Sequence, residues 1–211
     1  LLALQLVFVL RIALMAVLWS LRLGGYLFIR VKALHPVEDA RYHALKEEWG
    51  AAADRKMLLF FLFQGVILVF LSVPFLLASR NPFPAIHWIE WLAVGLWVVA
   101  LAGETLADAQ LSRFKANPEN RGKICEIGLW RYSRHPNYFF EWLIWVSFFT
   151  FALGSPYGWV SFYCPAQMLY LLLKVTGIPA LEAHAVKTKG EAYRAYQRRT
   201  SAFVPWFPKN V

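Results

Sequence analysis

Residues 128–141 read Gly-Leu-Trp-Arg-Tyr-Ser-Arg-His-Pro-Asn-Tyr-Phe-Phe-Glu, and no other stretch of the chain concentrates as much potential chemistry. Pro136 suits the first position of a helix, where its missing N–H would have no partner anyway. His135 then falls near the N-cap. The N–H groups of Asn137, Tyr138 and Phe139 are expected to point out of the helix end, towards Arg131 and Arg134. A helix N-terminus ringed by guanidinium groups is a site for phosphate or carboxylate. The same arginines would also serve to anchor the helix end to lipid phosphates. Trp130, Asn137, Tyr138 and the ordered proline start favour a pocket, because anchoring needs charge alone. Glu141 lies roughly one and a half turns deeper in apolar sequence, where an ionisable group is costly and usually functional. It is therefore a candidate catalytic residue.

Two further constellations carry polar groups at helical spacing. In 104–115, Glu104, Asp108, Leu111 and Lys115 fall near one face, with Gln110 beside them. Asp108 and Gln110 suit ribose hydroxyls and Lys115 a phosphate; a solvated helix laced by i,i+4 ion pairs fits the same spacing. The third constellation is Glu182 with Lys187, Lys189, Tyr193, Tyr196 and Arg199. A carboxylate at the mouth of an apolar span suits an amide, a ribose or an amino group, and an exposed helix charge is the competing explanation. Gln64, inside an apolar run, is satisfied by an interhelical hydrogen bond. Neither the histidines nor the cysteines show metal-ligand spacing, so no metal site is expected.

These groups must be positioned by helices in a membrane. The 211 residues are 59% hydrophobic with ten tryptophans, which excludes an ordinary soluble domain. The net charge of +9 falls in blocks between apolar runs, so positive-inside topology explains it better than nucleic acid does. Runs of the required length, about 20 residues, are expected at 1–21, 58–79, 86–103, 136–153 and 157–180. Arg22, Arg30 and Lys32 are assigned to the loop after the first run. The loops after the first and third runs and the tail are basic and the other two loops are not, which puts the C-terminus and all three constellations in the cytoplasm. The tail from 181 to 200 reads as an amphipathic helix weakened or kinked at Gly190. The two prolines in 203–208 forbid helix there, and its aromatics suit the headgroup interface. Cys125 and Cys164 are expected at different depths and unpaired. The chain opens at Leu1 within apolar sequence, without Met or a basic n-region. It is expected to lack native N-terminal helices and not to carry a signal peptide. The fold class expected is an all-α polytopic membrane bundle, one domain over 1–211 with 104–211 as its cofactor-binding half.

Taken in order, 18–26, 38–42, 63–65, 108–111 with Phe114-Lys115, 128–141 and 193–208 resemble the bacterial branch of the steroid 5-alpha-reductase-like family. That family's superfamily also holds sterol C14 reductases and isoprenylcysteine carboxyl methyltransferases. The resemblance implies a helical fold in an inner membrane whose C-terminal half binds NADPH from the cytoplasm. Lys115, Trp130, Asn137 and Tyr138 match cofactor-contacting positions, Glu182 matches an acidic position near the nicotinamide, and Arg22 and Tyr26 match an Arg and a Tyr of the 5-alpha-reductase pattern. Where those reductases place a proton-donating Tyr this chain has Trp19, and indole cannot serve as that acid. The partnering carboxylate belongs to an earlier helix that the chain lacks. The proton is then expected from elsewhere, with Tyr26 and Tyr42 as the candidates, or else the reaction differs from that of those reductases.

The activity expected is hydride transfer from NADPH to a polarised C=C bond of a lipid or steroid-like substrate. The alternative is an S-adenosylmethionine-dependent methyltransferase acting on a lipid or prenyl substrate, whose relatives share the Arg-His-Pro-x-Tyr element found at 134–138. Those relatives follow it with paired glutamates, whereas Glu182 is followed by Ala183.

Overall fold

A computed structural model of the chain describes the backbone of residues 2–36, 38, 40–81, 87–175 and 177–210. It describes the side chains of these save residues 2–9, 33–34, 40–41 and 44. Among the described residues there are eight α-helices and no strand beyond one isolated bridge. They are α1 (Leu2–Leu34), α2 (Ala40–Trp49), α3 (Ala53–Leu71), α4 (Val73–Ser79), α5 (Trp88–Ala116), α6 (Pro136–Ala152), α7 (Tyr163–Tyr170) and α8 (Ile178–Arg199). Four stretches, Leu10–Lys32, Leu45–Ser79, Trp88–Ala116 and Gly158–Arg199, are long and apolar enough to cross a membrane. Helix α6, with 17 residues, stands at the lower limit for a span.

The helices differ from the expected spans in ways the residues explain. Helix α1 does not stop at residue 21. Nothing from 22 to 34 breaks a helix until His35-Pro36, so Arg22, Arg30 and Lys32 are helical and not in a loop. At 1.5 Å per residue its 33 residues reach about 50 Å, well beyond the roughly 30 Å of hydrocarbon. The second run is divided at Ser72, with Pro74 at the start of α4. Helix α5 continues past Gly103 to Ala116, and stops at Asn117 because the following Pro118 holds that residue extended. The last run is not one helix. A 3₁₀ turn at Gly158–Phe162, α7, a π turn at Leu171–Val175 and the break before Ile178 divide it. Leu1 and Ile86, where two expected spans begin, lie outside the described residues. Within α8, Gly190 takes φ +55° and ψ −131°, a kink that glycine tolerates and other residues resist.

Helices α5 and α6 form the most extensive contact in the bundle. Gly103 permits it: a Cβ there would run into the ring of Phe140. The apolar core sits mid-bundle and includes Met15, Trp97, Ala100, Ile144, Trp145, Phe148 and Phe151. At one end, the fully buried Glu90 accepts hydrogen bonds from Asn81 Nδ2 (3.0 Å) and the His87 N–H (2.9 Å), tying α4 to α5. The polar constellations collect at the other end. There α1 and α5 finish, α6 begins and α8 crosses.

Candidate functional site

The 128–141 block is folded by its own neighbours. Gly128 has φ +55° and sits against the carboxamide of Gln110, with no room for a Cβ. Gln110 Oε1 accepts from the Leu129 N–H at 2.9 Å and so sets the 3₁₀ turn Gly128–Arg131 on α5. Trp130 is buried and donates its indole N–H to the Ala107 carbonyl at 2.9 Å. The tail then folds back over the block. The Arg134 N–H donates to the Ser201 carbonyl (2.8 Å), Ser133 Oγ to the Phe203 carbonyl (2.8 Å), and the Trp206 N–H to the Tyr132 carbonyl (2.9 Å). Tyr196 donates its hydroxyl to the Trp130 carbonyl.

A cavity of about 960 Å³ opens between α1, α5, α6, the π turn and α8. Tyr26, Asp108, Lys115, Trp130, Arg134, His135, Asn137, Tyr138, Glu141, Tyr193 and Tyr196 all line it, although they come from four separate helices and a loop. Its volume lies at the upper end of small-molecule and cofactor pockets. The two ends differ in charge. At one end Arg30 and Lys189 stand close enough to Lys115 to repel it. At the other, Glu104, Asp108 and Glu141 surround a single guanidinium, that of Arg22. Arg22 pairs with Glu104 and with Asp108, and its guanidinium lies 5.7 Å from the centre of the Tyr26 ring. Asn137 Nδ2 donates to the second Asp108 oxygen at 3.3 Å. Glu141 accepts from two indoles, Trp19 Nε1 at 3.2 Å and Trp145 Nε1 at 3.1 Å. The rings of His135 and Tyr138 stack 5.7 Å apart. Burial pushes the Cys125 thiol up, so that side chain is a neutral part of the wall.

Several expected site residues stand elsewhere. Glu182 does not line the cavity; it lies behind the wall. It accepts from Arg134 Nε (2.7 Å) and Nη2 (3.2 Å) and from Gln197 Nε2 (2.8 Å), with His135 Nε2 at 3.2 Å. Arg134 spends its remaining nitrogen on the carbonyls of Gln197 (3.0 Å) and Thr200 (2.5 Å). It is therefore a structural tie as well as a wall residue, and not the open anion receptor that the sequence suggested. Arg131 is exposed and outside the cavity, and the Phe139 N–H is already bonded to the His135 carbonyl. Gln110 supports the loop from behind. Arg199 pairs with Glu126 at 3.0 Å and lines a separate surface cleft. Tyr42 packs on Phe61, its ring centre 5.9 Å away, and takes no part in the cavity. Arg22 forms the carboxylate cluster without facing the cavity. Helix α1 supplies a wall, so the pocket is not confined to 104–211.

Sequence reasoning missed Trp145 and the role of Trp19 in holding Glu141. The spacing of Glu141 and Trp145, one helical turn, was the available signal for the first; nothing local signalled the second. It also read Glu104 as one residue of a helix face, without the pairing to Arg22.

Fold and site together define an all-helical bundle with helices long and apolar enough to cross a membrane, and a charge-divided pocket at one end. The chain belongs to the family described as protein of unknown function DUF1295, whose sequence pattern matches residues 5–200. It is 31% identical over 137 residues to uncharacterized protein C594.04c of Schizosaccharomyces pombe. That match covers 55% of this chain and 39% of the yeast protein, so the chain spans well under two thirds of that relative's length. No solved structure matches.

Proposed function

We propose that the protein is a membrane-embedded reductase that uses NADPH to reduce a polarised C=C bond of a lipid or steroid-like substrate. The observation that carries this is the charge division of one cavity, cationic at Lys115, Lys189 and Arg30 and carboxylate-rich at Glu104, Asp108 and Glu141. Arg30 and Lys189 repel Lys115, and an anion such as a pyrophosphate or 2′-phosphate bound beside Lys115 and Lys189 would relieve that repulsion. About 960 Å³ is room for a dinucleotide. DUF1295 is a family that includes steroid 5-alpha-reductase-like proteins, which supports the same chemistry.

When bound, NADPH would supply the hydride. The chain's own residues would do the rest. Lys115 and Lys189 would hold phosphates, while Asn137 and Asp108 would present a donor and an acceptor to ribose or carboxamide. Trp130, Tyr138 and Tyr193 would wall the pocket against water. The carboxyl cluster would face the reacting end, where negative charge develops on the substrate carbonyl and needs a proton or a hydrogen bond. The basic end would face the cytoplasm and the apolar helices an inner membrane, from which a lipid-like substrate would enter.

Thermal unfolding of the purified protein in detergent tests the assignment. At 100 times its Kd, NADPH should add about 2.7 kcal/mol, which raises Tm by roughly 5–10 °C for a chain of this size. Lys115→Ala removes a charge-assisted contact worth about 1.5–3 kcal/mol and should weaken binding roughly 10- to 100-fold. Asn137→Ala should weaken it less. No shift with NADPH refutes the proposal, and protection by S-adenosylmethionine instead identifies a methyltransferase.

A further inference from the structure

Three carboxyl groups meet one guanidinium at the inner end of the cavity, and their six oxygens are not treated alike. Asp108 has Arg22 on one oxygen and Asn137 on the other. Glu141 has an indole N–H on each, from Trp145 and Trp19. Glu104 has Arg22 on Oε1, but its Oε2 is buried with no hydrogen-bond partner among the described residues. Five oxygens therefore have a donor and one does not. The Glu104 side chain is only 4% exposed, so water does not supply the missing donor in bulk fashion.

The charged groups facing Glu104 are Arg22 from α1, Asp108 from its own helix and Glu141 from α6; Tyr26 and Arg30 from α1 and Asn137 from α6 stand around Asp108. With every carboxyl ionised, the inner cluster of Glu104, Asp108, Glu141 and Arg22 would carry two net negative charges in an apolar bundle. A buried acceptor with no donor is costly, and an unpaired buried charge more so. One proton on Glu104 Oε2 removes a charge and turns the orphaned acceptor into a donor. Its O–H then has the opposing Glu141 carboxylate as an acceptor, across the α5–α6 contact. A proton on Glu141 could reach the same oxygen, but it would weaken the two indole N–H bonds that Glu141 accepts as a carboxylate, whereas Glu104 Oε2 carries the proton without giving up a donor.

We propose that Glu104 is kept protonated at neutral pH and is the acid that completes the reduction. The delivery step rests on the reductase assignment above; the stored proton does not. In that step a hydride from NADPH forms the new C–H bond at the β carbon, and the electron pair of the C=C bond moves onto the carbonyl oxygen as an enolate. The O–H bond of Glu104 breaks and its proton goes to that oxygen. The enol then tautomerises to the saturated carbonyl. Glu104 is left as a carboxylate against Arg22 and is reprotonated from solvent through the cavity. Tyr26 also lines the cavity but need not be the acid, and Tyr42 is too remote to act.

Infrared difference spectroscopy of the protein in lipid tests the stored proton without substrate. A carboxylic-acid carbonyl band should be present at pH 7, move on transfer to D2O, and vanish in Glu104→Gln. It should persist in Asp108→Asn, whose amide oxygen can keep accepting from Arg22 while Asn137 turns its own amide so that its oxygen accepts from the new N–H. A band that survives Glu104→Gln, or no acid band at all in the parent, overturns the proposal. Should Glu104→Gln fail to fold, pH titration of the parent band with and without Glu141→Gln decides: Glu104 as the donor predicts a changed band position when its acceptor becomes an amide, and an unchanged band refutes it. For delivery, NADPH protection should be intact in Glu104→Gln while turnover of an enone probe falls at least 100-fold. Loss of NADPH protection in the parent would strike the reductase assignment alone, leaving the infrared result to stand.

Discussion

Removing Glu182 should unfold the site and not merely weaken a ligand. Its side chain is 15% exposed and that of Arg134 is 9% exposed, which makes the pair a buried one and not a surface bridge. Glu182→Ala leaves a buried guanidinium without its anion, and leaves His135 and Gln197 without their acceptor. Breaking a buried pair from one side costs about 3–5 kcal/mol. At roughly 2–4 °C per kcal/mol for a chain of this size, Tm should fall by about 6–20 °C in detergent. Replacing both partners, Arg134→Met with Glu182→Leu, should cost less than Glu182→Ala alone, because no charge is then stranded. A change under about 1 kcal/mol in Glu182→Ala would refute the reasoning and return the pair to the ordinary class of exposed bridges. If Glu182 instead touched the nicotinamide, as the sequence resemblance suggested, the ligand-free protein would melt as before and only NADPH protection would be lost.

Gly128→Ala should destabilise by about 1–3 kcal/mol, since it forces a Cβ into φ +55° and against the Gln110 carboxamide; an unchanged melting curve would show that the 3₁₀ turn has another way to close. Trp19→Phe keeps a ring but removes one N–H from Glu141 (3.2 Å), at a cost of about 1–3 kcal/mol for the stranded acceptor. The loss should shrink in a Glu141→Leu background, and equal losses in both backgrounds would show that the indole acts by packing alone.

The α-helical membrane character was legible in the apolar runs, because hydropathy is a property of each residue and needs no partner. The start of α6 at Pro136, the irregular tail at 203–208 and the kink at Gly190 were legible for a related reason: proline and glycine act on their own backbone. Boundaries were less legible. The basic residues 22, 30 and 32 looked like a loop, yet charge does not end a helix, and α1 ran on until His35-Pro36. Only the tertiary structure decided which side chains meet. Glu141 was conspicuous as a carboxylate in apolar sequence, but its partner Trp19 is more than a hundred residues away. Glu182 looked like a ligand group and turned inward to Arg134. Arg22 looked like a positive-inside charge and became the counter-ion of Glu104 and Asp108. A helix period tells which residues share a face; which faces come together depends on how α1, α5, α6 and α8 cross, and that is settled by packing around small residues such as Gly103 and by the need to pair every buried charge.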